Sequence, residues 1–175
     1  MITSDACIKY IEIRSRLDSE IAQLQQVHSH QMVCKKQCSS CCMNFGVLPI
    51  EAYAIAQELF QTHTPLLAHT VSNECIFLQT NMCTIYKNRP FICRTQGLPI
   101  LYNVEQIYEL SVCELNFTSV DDSYFTEKNC LFMDTYNYEL QECNHVFIKQ
   151  NQQLNIIPNT LISINDIPSL VSYFE

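Results

Sequence analysis

The sequence predicts an α+β fold: a small single domain over residues 1–175, in which N- and C-terminal helices flank a loop-rich centre crowded with cysteine. Three observations lead there. Apolar residues recur at helical spacing before residue 30 and again after Asp134. The segment from Asn73 to about Asn116 loses that period and carries the breakers Pro90, Gly97 and Pro99. Finally, eight of the eleven cysteines fall between Cys34 and Cys113. A chain of 175 residues that is 47% hydrophobic can bury a core without covalent staples.

The elements follow in order. From Ser4 or Asp5 as N-cap, "ACIKYIEIRSRLDSEIAQLQQVHSH" sets Ile13, Leu17, Ile21 and Leu24 on one stripe with charges opposite, which predicts a long helix within residues 1–33. Residues 34–117 form the cysteine-cluster core. Within it "VLPIEAYAIAQELFQ" places Pro49 in a first turn, followed by Ile50, Tyr53, Ala54, Leu59 and Phe60 among strong helix formers. "TPLLAHTVS" reads as a short third helix capped by Thr64, and short strands are expected around "CTIY" and "QIYELSVC". Residues 118–175 form a C-terminal helical extension. There "DTYNYELQECNHVFIKQN" offers Tyr138, Leu140, Val146 and Phe147 to the core, and "TLISINDIPSLVSYFE" reads as a strand followed by a helical turn from Pro168.

Composition excludes several functions. Ten basic against eighteen acidic residues give a net charge of −8, which repels a phosphate backbone, so nucleic acid is not an expected partner. The two glycines, Gly46 and Gly97, are too few for a Walker loop or a dinucleotide-binding fingerprint. Charges at Lys9, Glu12, Arg14 and Arg16 interrupt any export signal, and no apolar run approaches the roughly eighteen residues of a membrane span, so the expected location is cytoplasmic with no membrane partner.

The chemistry lies in the thiols. "CKKQCSSCC" holds Cys34, Cys38, Cys41 and Cys42; "NECIFLQTNMCTIY" adds Cys75 and Cys83, "RPFICRTQG" adds Cys93 and "SVCELNF" adds Cys113. An odd cysteine total without an export signal points to bound metal rather than to disulfides. Such a metal would staple the loop-rich centre. On a helix the first four thiols would share an arc of about 100°; on extended backbone Cys41 and Cys42 would face opposite ways and serve two sites, or one site and the core. Four thiolates satisfy zinc or an iron–sulfur cluster such as 4Fe–4S, and eight satisfy two centres. Soft sulfur excludes magnesium, calcium and manganese. Lys35, Lys36, Arg89 and Arg94 would offset thiolate charge, and Arg89 and Arg94 are candidates for hydrogen bonds to the bound group.

"CKKQCSSCC", "CIFL", "CTIYKNRPFICR" and "CELNF" together resemble the YkgJ-type cysteine-cluster family, a zinc- or iron-chelating CxxCxxCC domain, over roughly residues 34 to 117 and more weakly in "MDTYNYELQECNHVF". The resemblance implies metal ligation by Cys34, Cys38, Cys41, Cys42, Cys75, Cys83 and Cys93, with Cys113 added in members that share the last motif. Gln37 departs from the glycine the family usually carries before its second cysteine. Some members are fused to, or resemble, flagellin lysine methylase.

Cys7, Cys130 and Cys143 are read as small buried apolar residues, His28 and His30 as surface residues on a helix end, and His63, His69 and His145 have no motif around them. Three functions stay open: a protein whose zinc or iron is structural, buffered or delivered; an iron–sulfur enzyme or subunit acting in protein modification; and a metal-stabilised module for a protein partner. The Cys34, Cys38, Cys41 spacing matches that of radical S-adenosylmethionine enzymes, but the long run of alternating strands and helices that such enzymes need is missing.

Overall fold

The apolar stripe of the first helix decides where the main core sits. The structure, a computed structural model, describes residues 5–35, 37–65 and 73–174. Helix α1 runs Asp5–Val27 and buries Tyr10, Ile13, Leu17, Ile21 and Leu24 on one face. Against it packs α4, Met133–Gln150, through Tyr136, Leu140, Cys143 and Phe147, spaced four, three and four residues apart as a helical stripe requires. Tyr138 and Val146, expected in the core, are exposed, because each lies off that stripe. Arg16 of α1 and Glu139 of α4 form an ion pair across the seam.

Helix α2, Pro49–Gln61, joins two clusters. Ile50 and Tyr53 enter the α1–α4 core, while Ala52, Ile55, Ala56 and Leu59 turn to a second core with Val47, Phe77, Ile85, Ile164 and Ile167. Asn144 of α4, itself buried, accepts the Ile50 N–H at 3.1 Å and pins the start of α2. At the same end Glu51 reaches back to the Leu48 N–H (3.3 Å) and across to the Phe91 N–H (2.8 Å), which opens the short helix α3, Phe91–Arg94. Burial pushes this carboxyl up to about 7 against the two N–H donors.

The strands are short. Gly46–Val47 (β1) pairs antiparallel with Ile162–Ser163 (β7), and Leu78–Gln79 (β2) with Met82–Cys83 (β3). The three-stranded sheet runs β5-β4-β6: Ile100–Val104 (β4) is antiparallel to Ile107–Ser111 (β5) and parallel to Leu131–Phe132 (β6). The fold is thus a small α+β domain with helices at both ends, but its boundaries differ from the expected ones. The first helix ends at Val27, not near residue 33. The "CTIY" stretch is extended only at Met82–Cys83 before a 3₁₀ turn at Tyr86–Asn88. Strands β4 and β6 carried no sequence signal, whereas the strand expected in "TLISIN" is present as β7. In the tail, a 3₁₀ helix from Ile164 to Phe174 contains Pro168 rather than starting there, and it lies along α2. Most of the third helix expected at "TPLLAHTVS" falls on 66–72, outside the described residues. Among the described residues no helix is long and apolar enough to cross a membrane.

Candidate metal centre

Past α1 the chain becomes an irregular loop, and none of its described residues between 33 and 42 is helical, so the four N-terminal cysteines do not share a helical arc. Two turns shape it: the Cys38 N–H donates to Lys35 O at 2.9 Å and the Cys42 N–H to Ser39 O at 2.8 Å. Inside the first of them Gln37 sits at φ 79°, in the left-handed region that favours glycine. This is the position where the motif departs from glycine.

From Cys42 onward the backbone runs strand-like. The Cys75 N–H donates to Cys42 O (3.3 Å), the Asn44 N–H to Asn73 O (3.1 Å), and Met43 pairs with Glu74 as an antiparallel bridge. Cys42 and Cys75 therefore lie side by side. The β2–β3 hairpin then folds Cys83 back opposite Leu78 through Thr80 and Asn81, both at positive φ (48° and 60°), as a two-residue type I′ turn demands. Cys93 arrives on α3. All four thiols of this inner group pack on the second core, Cys75 fully buried and Cys42, Cys83 and Cys93 half-buried. Backbone N–H groups of Phe77 and Leu78 near the Cys75 sulfur, and that of Ile85 near the Cys83 sulfur, favour their thiolates, while the Leu78 N–H closes a turn on Cys75 O at 2.9 Å.

The outer group is built differently. Neither core cluster includes Cys34, Cys38, Cys41 or Cys113; Cys34 is exposed and the other three half-buried. Asn116 organises one side of it. This buried side chain accepts the Val33 N–H (2.9 Å) and donates to Gly97 O (2.7 Å) and to the Cys34 sulfur (3.2 Å), while its own backbone N–H bonds Cys113 O (2.9 Å). Cys34 and Cys113 are thereby tied to one asparagine. Gly97 backs the sulfur so closely that a Cβ there would stand 2.7 Å from Cys34 Sγ. Cys41 has Cys42, Cys38 and Cys34 as charge neighbours, so the outer group abuts the inner one at the Cys41–Cys42 step.

Burial, and then neighbouring thiols, hold protons on these sulfurs. Cys93 is pushed up to about 12 by burial, with Cys75 and Cys83 adding and Arg89 opposing. Burial likewise takes Cys75 to about 11, and Cys41 to about 11 with Cys42 adding. Cys34, Cys42 and Cys83 are raised too, burial leading in each. Such a crowd of thiols ionises readily only when a cation joins it. Among the described residues, which include all eleven cysteines, none forms a disulfide and no three acidic, histidine or cysteine side chains already converge on one point as ligands. A metal would have to draw the loops together. The donor set itself fits zinc or iron: soft sulfur, four thiols per group, and N–H donors on the inner one.

The two arginines occupy different places. Arg89 lies over the Tyr86 ring, 3.7 Å from its centroid, and its charge favours the thiolates of Cys42, Cys83 and Cys93. Arg94 is buried and directs its guanidinium to Asp18 (2.6 and 2.8 Å) and to the carbonyls of Lys87 and Arg89, so it fixes the turn that carries Arg89. Lys35 is exposed, and Lys36 lies outside the described residues.

Of the remaining candidates, Cys130 and Cys143 are buried and Cys7 is half-buried against the α1–α4 core. His28 corrects its expected surface position. It is fully buried, bonded to Tyr124 Oη (2.8 Å) and Asn129 O (2.6 Å) and edged by Phe117. His30, His63 and His145 are exposed, and His69 lies outside the described residues. Asn116 and Asp18 carried no sequence signal, since one asparagine or aspartate has no spacing to read.

The comparison with family models covers the segment that holds all eight motif thiols. Residues 33–160 match the model CxxCxxCC, described as "Putative zinc- or iron-chelating domain". No curated protein and no solved structure matches the chain. With well over half its length matched, from the loop of Cys34 to a point past α4, the protein belongs to the CxxCxxCC family of zinc- or iron-chelating domains.

Proposed function

We propose that the chain binds zinc or iron through two four-cysteine centres, an inner one of Cys42, Cys75, Cys83 and Cys93 and an outer one of Cys34, Cys38, Cys41 and Cys113. The observation that carries this is the division of eight motif thiols by their surroundings: four rest on the second core and four touch neither core. On this reading adjacent Cys41 and Cys42 belong to different centres, Cys42 packing on the second core and Cys41 lying outside it. Arg89 offsets the charge of the inner centre, and Arg94 acts on it only through the turn that positions Arg89. Eight thiolates close two tetrahedral zinc sites, or two clusters, with no protein position left over.

The experiment is elemental analysis and an absorption spectrum after anaerobic purification. Two metal equivalents for zinc, or the visible absorption of iron–sulfur, are expected. Serine at Cys75 or Cys83 should remove only the inner metal, and serine at Cys34 or Cys38 only the outer. A single variant that empties both centres while the protein stays folded would show one shared site and defeat the division.

A further inference from the structure

We propose that the outer centre is an exchange site, which takes up a soft thiophilic cation, zinc foremost, and hands it to an acceptor, while the inner centre keeps its metal. This rests on the reading that both thiol groups bind metal. The two groups are built for opposite behaviour.

To release its ion the inner group must move thiols that are packed on Val47, Ile55, Phe77 and Ile85 and fixed by a hairpin, a strand-like ladder and a helix. Opening it means opening the second core. The outer group has no anchor in either core. Cys38 and Cys41 sit on an irregular loop held by two single turns and one side-chain bond, Ser39 Oγ donating to Asn81 Oδ1 at 3.2 Å, with a non-glycine φ of 79°, and Cys34 is exposed. Local opening of such a loop needs no core contact to break.

The outer side is nonetheless prepared in part. Asn116, held by the Val33 N–H and Gly97 O, presents an N–H to Cys34 and ties the Cys113 turn to the same spot. Asn116 thus presets Cys34 and the Cys113 turn, Cys38 stands beside Cys34, and the loop that carries Cys38 and Cys41 has no core contact, an arrangement that allows capture without a rigid cage. An incoming thiol or imidazole ligand can reach the exposed Cys34 side and displace one sulfur at a time. No electrons move in the transfer: each thiolate that lets go of zinc takes up a proton, and each incoming thiol gives one up.

The test loads the reduced full chain anaerobically with zinc, mixes it with an excess of the chromophoric chelator pyridylazoresorcinol and follows release by absorbance. Two equivalents should leave in two phases whose rates differ at least about tenfold, or about 1.4 kcal/mol in barrier. Cys113→Ser should reduce binding to one equivalent and abolish the fast phase. Asn116→Asp, which places a carboxylate against the Cys34 sulfur without changing side-chain size, should do the same with far-UV circular dichroism unchanged. In both variants the slow phase must survive. Release of both equivalents at one rate, or a fast phase that persists in both variants, overturns the exchange role while leaving two centres standing. Fewer than two equivalents in the unaltered protein overturns the two-centre reading, and the exchange site with it.

Discussion

Replacing Gly97 by alanine probes the outer group without touching a thiol. Gly97 has φ 92°, where an alanine Cβ crowds its own backbone at a cost of roughly 1–2 kcal/mol. The new Cβ would also stand 2.7 Å from Cys34 Sγ and 3.2 Å from Asn116 Nδ2. Ordinary contact begins near 3.5–4 Å, so the sulfur has to retreat by about 1 Å. Metal–ligand distances tolerate about 0.2 Å. The Cys34 ligand should therefore be lost, and crowding in a packed site adds roughly 1–3 kcal/mol to the backbone strain. A total near 3 kcal/mol lowers Tm by about 6–12 °C for a chain of this length. Differential scanning calorimetry and zinc stoichiometry read the two effects separately: lower Tm, and one equivalent left. Gly46→Ala is the control, because its Cβ would press on the side chain of exposed Leu161 at 2.9 Å, away from any cysteine, and should keep both equivalents. A Gly97→Ala protein with two equivalents and an unchanged Tm would refute the reasoning.

The opposite change is expected at Gln37: Gln37→Gly relieves a φ of 79° and should be neutral or raise stability by up to about 1 kcal/mol in urea titration, with metal content kept; a clear loss would contradict it. Glu51 gives a pH dependence. Its carboxyl moves from 4.5 unfolded to about 7 folded, so its stabilising contribution is complete below pH 4.5 and is lost as pH rises to about 7. The span of about 2.5 units corresponds to roughly 3 kcal/mol. The stability of the unaltered protein relative to Glu51→Gln should accordingly fall between pH of about 5 and about 8, and a difference that stays flat across that range would exclude the assignment. Cys75→Ser should release the inner metal and lower stability by several kcal/mol, since the metal's binding energy is folding energy; unchanged metal content would sink the inner centre. Cys130→Ala and Cys143→Ala should keep full metal content at a packing cost of about 1 kcal/mol, and loss of an equivalent in either would mean that the site extends further than drawn.

What the sequence disclosed and what it hid divide along a physical line. Residues whose position follows from local period were legible: the buried face of α1 at Ile13, Leu17, Ile21 and Leu24 is a 3.6-residue pattern, and Pro49 opens α2. In α4 the same period misplaced Tyr138 and Val146, because Tyr136 and Cys143 fit the stripe as well and only the partner helix chooses between registers. His28 looked like a residue on a helix end. A tyrosine and a carbonyl about a hundred positions away bury it, and no local pattern reports such partners.

The same line runs through the thiols. Their number and chemistry follow from composition, which is why zinc or iron could be named from residue types alone. Their grouping depends on contacts between distant segments: Cys42 meets Cys75 because residues 42–44 ladder with 73–75, and Cys34 has Cys113 as a charge neighbour because Asn116 bonds the Cys34 sulfur and closes the turn on Cys113 O. The adjacent pair Cys41 and Cys42 is where the two levels meet. Where the backbone is extended, adjacent side chains face opposite ways, so the doubled cysteine hints at division once the chain from Cys42 onward is seen to run strand-like. The division also gives each cysteine of the pair a different neighbourhood, Cys42 against the hydrophobic second core and Cys41 outside it. On the two-centre reading proposed above, the doubled cysteine of this chain marks the boundary between two metal environments, one that holds the fold and one that exchanges its ion.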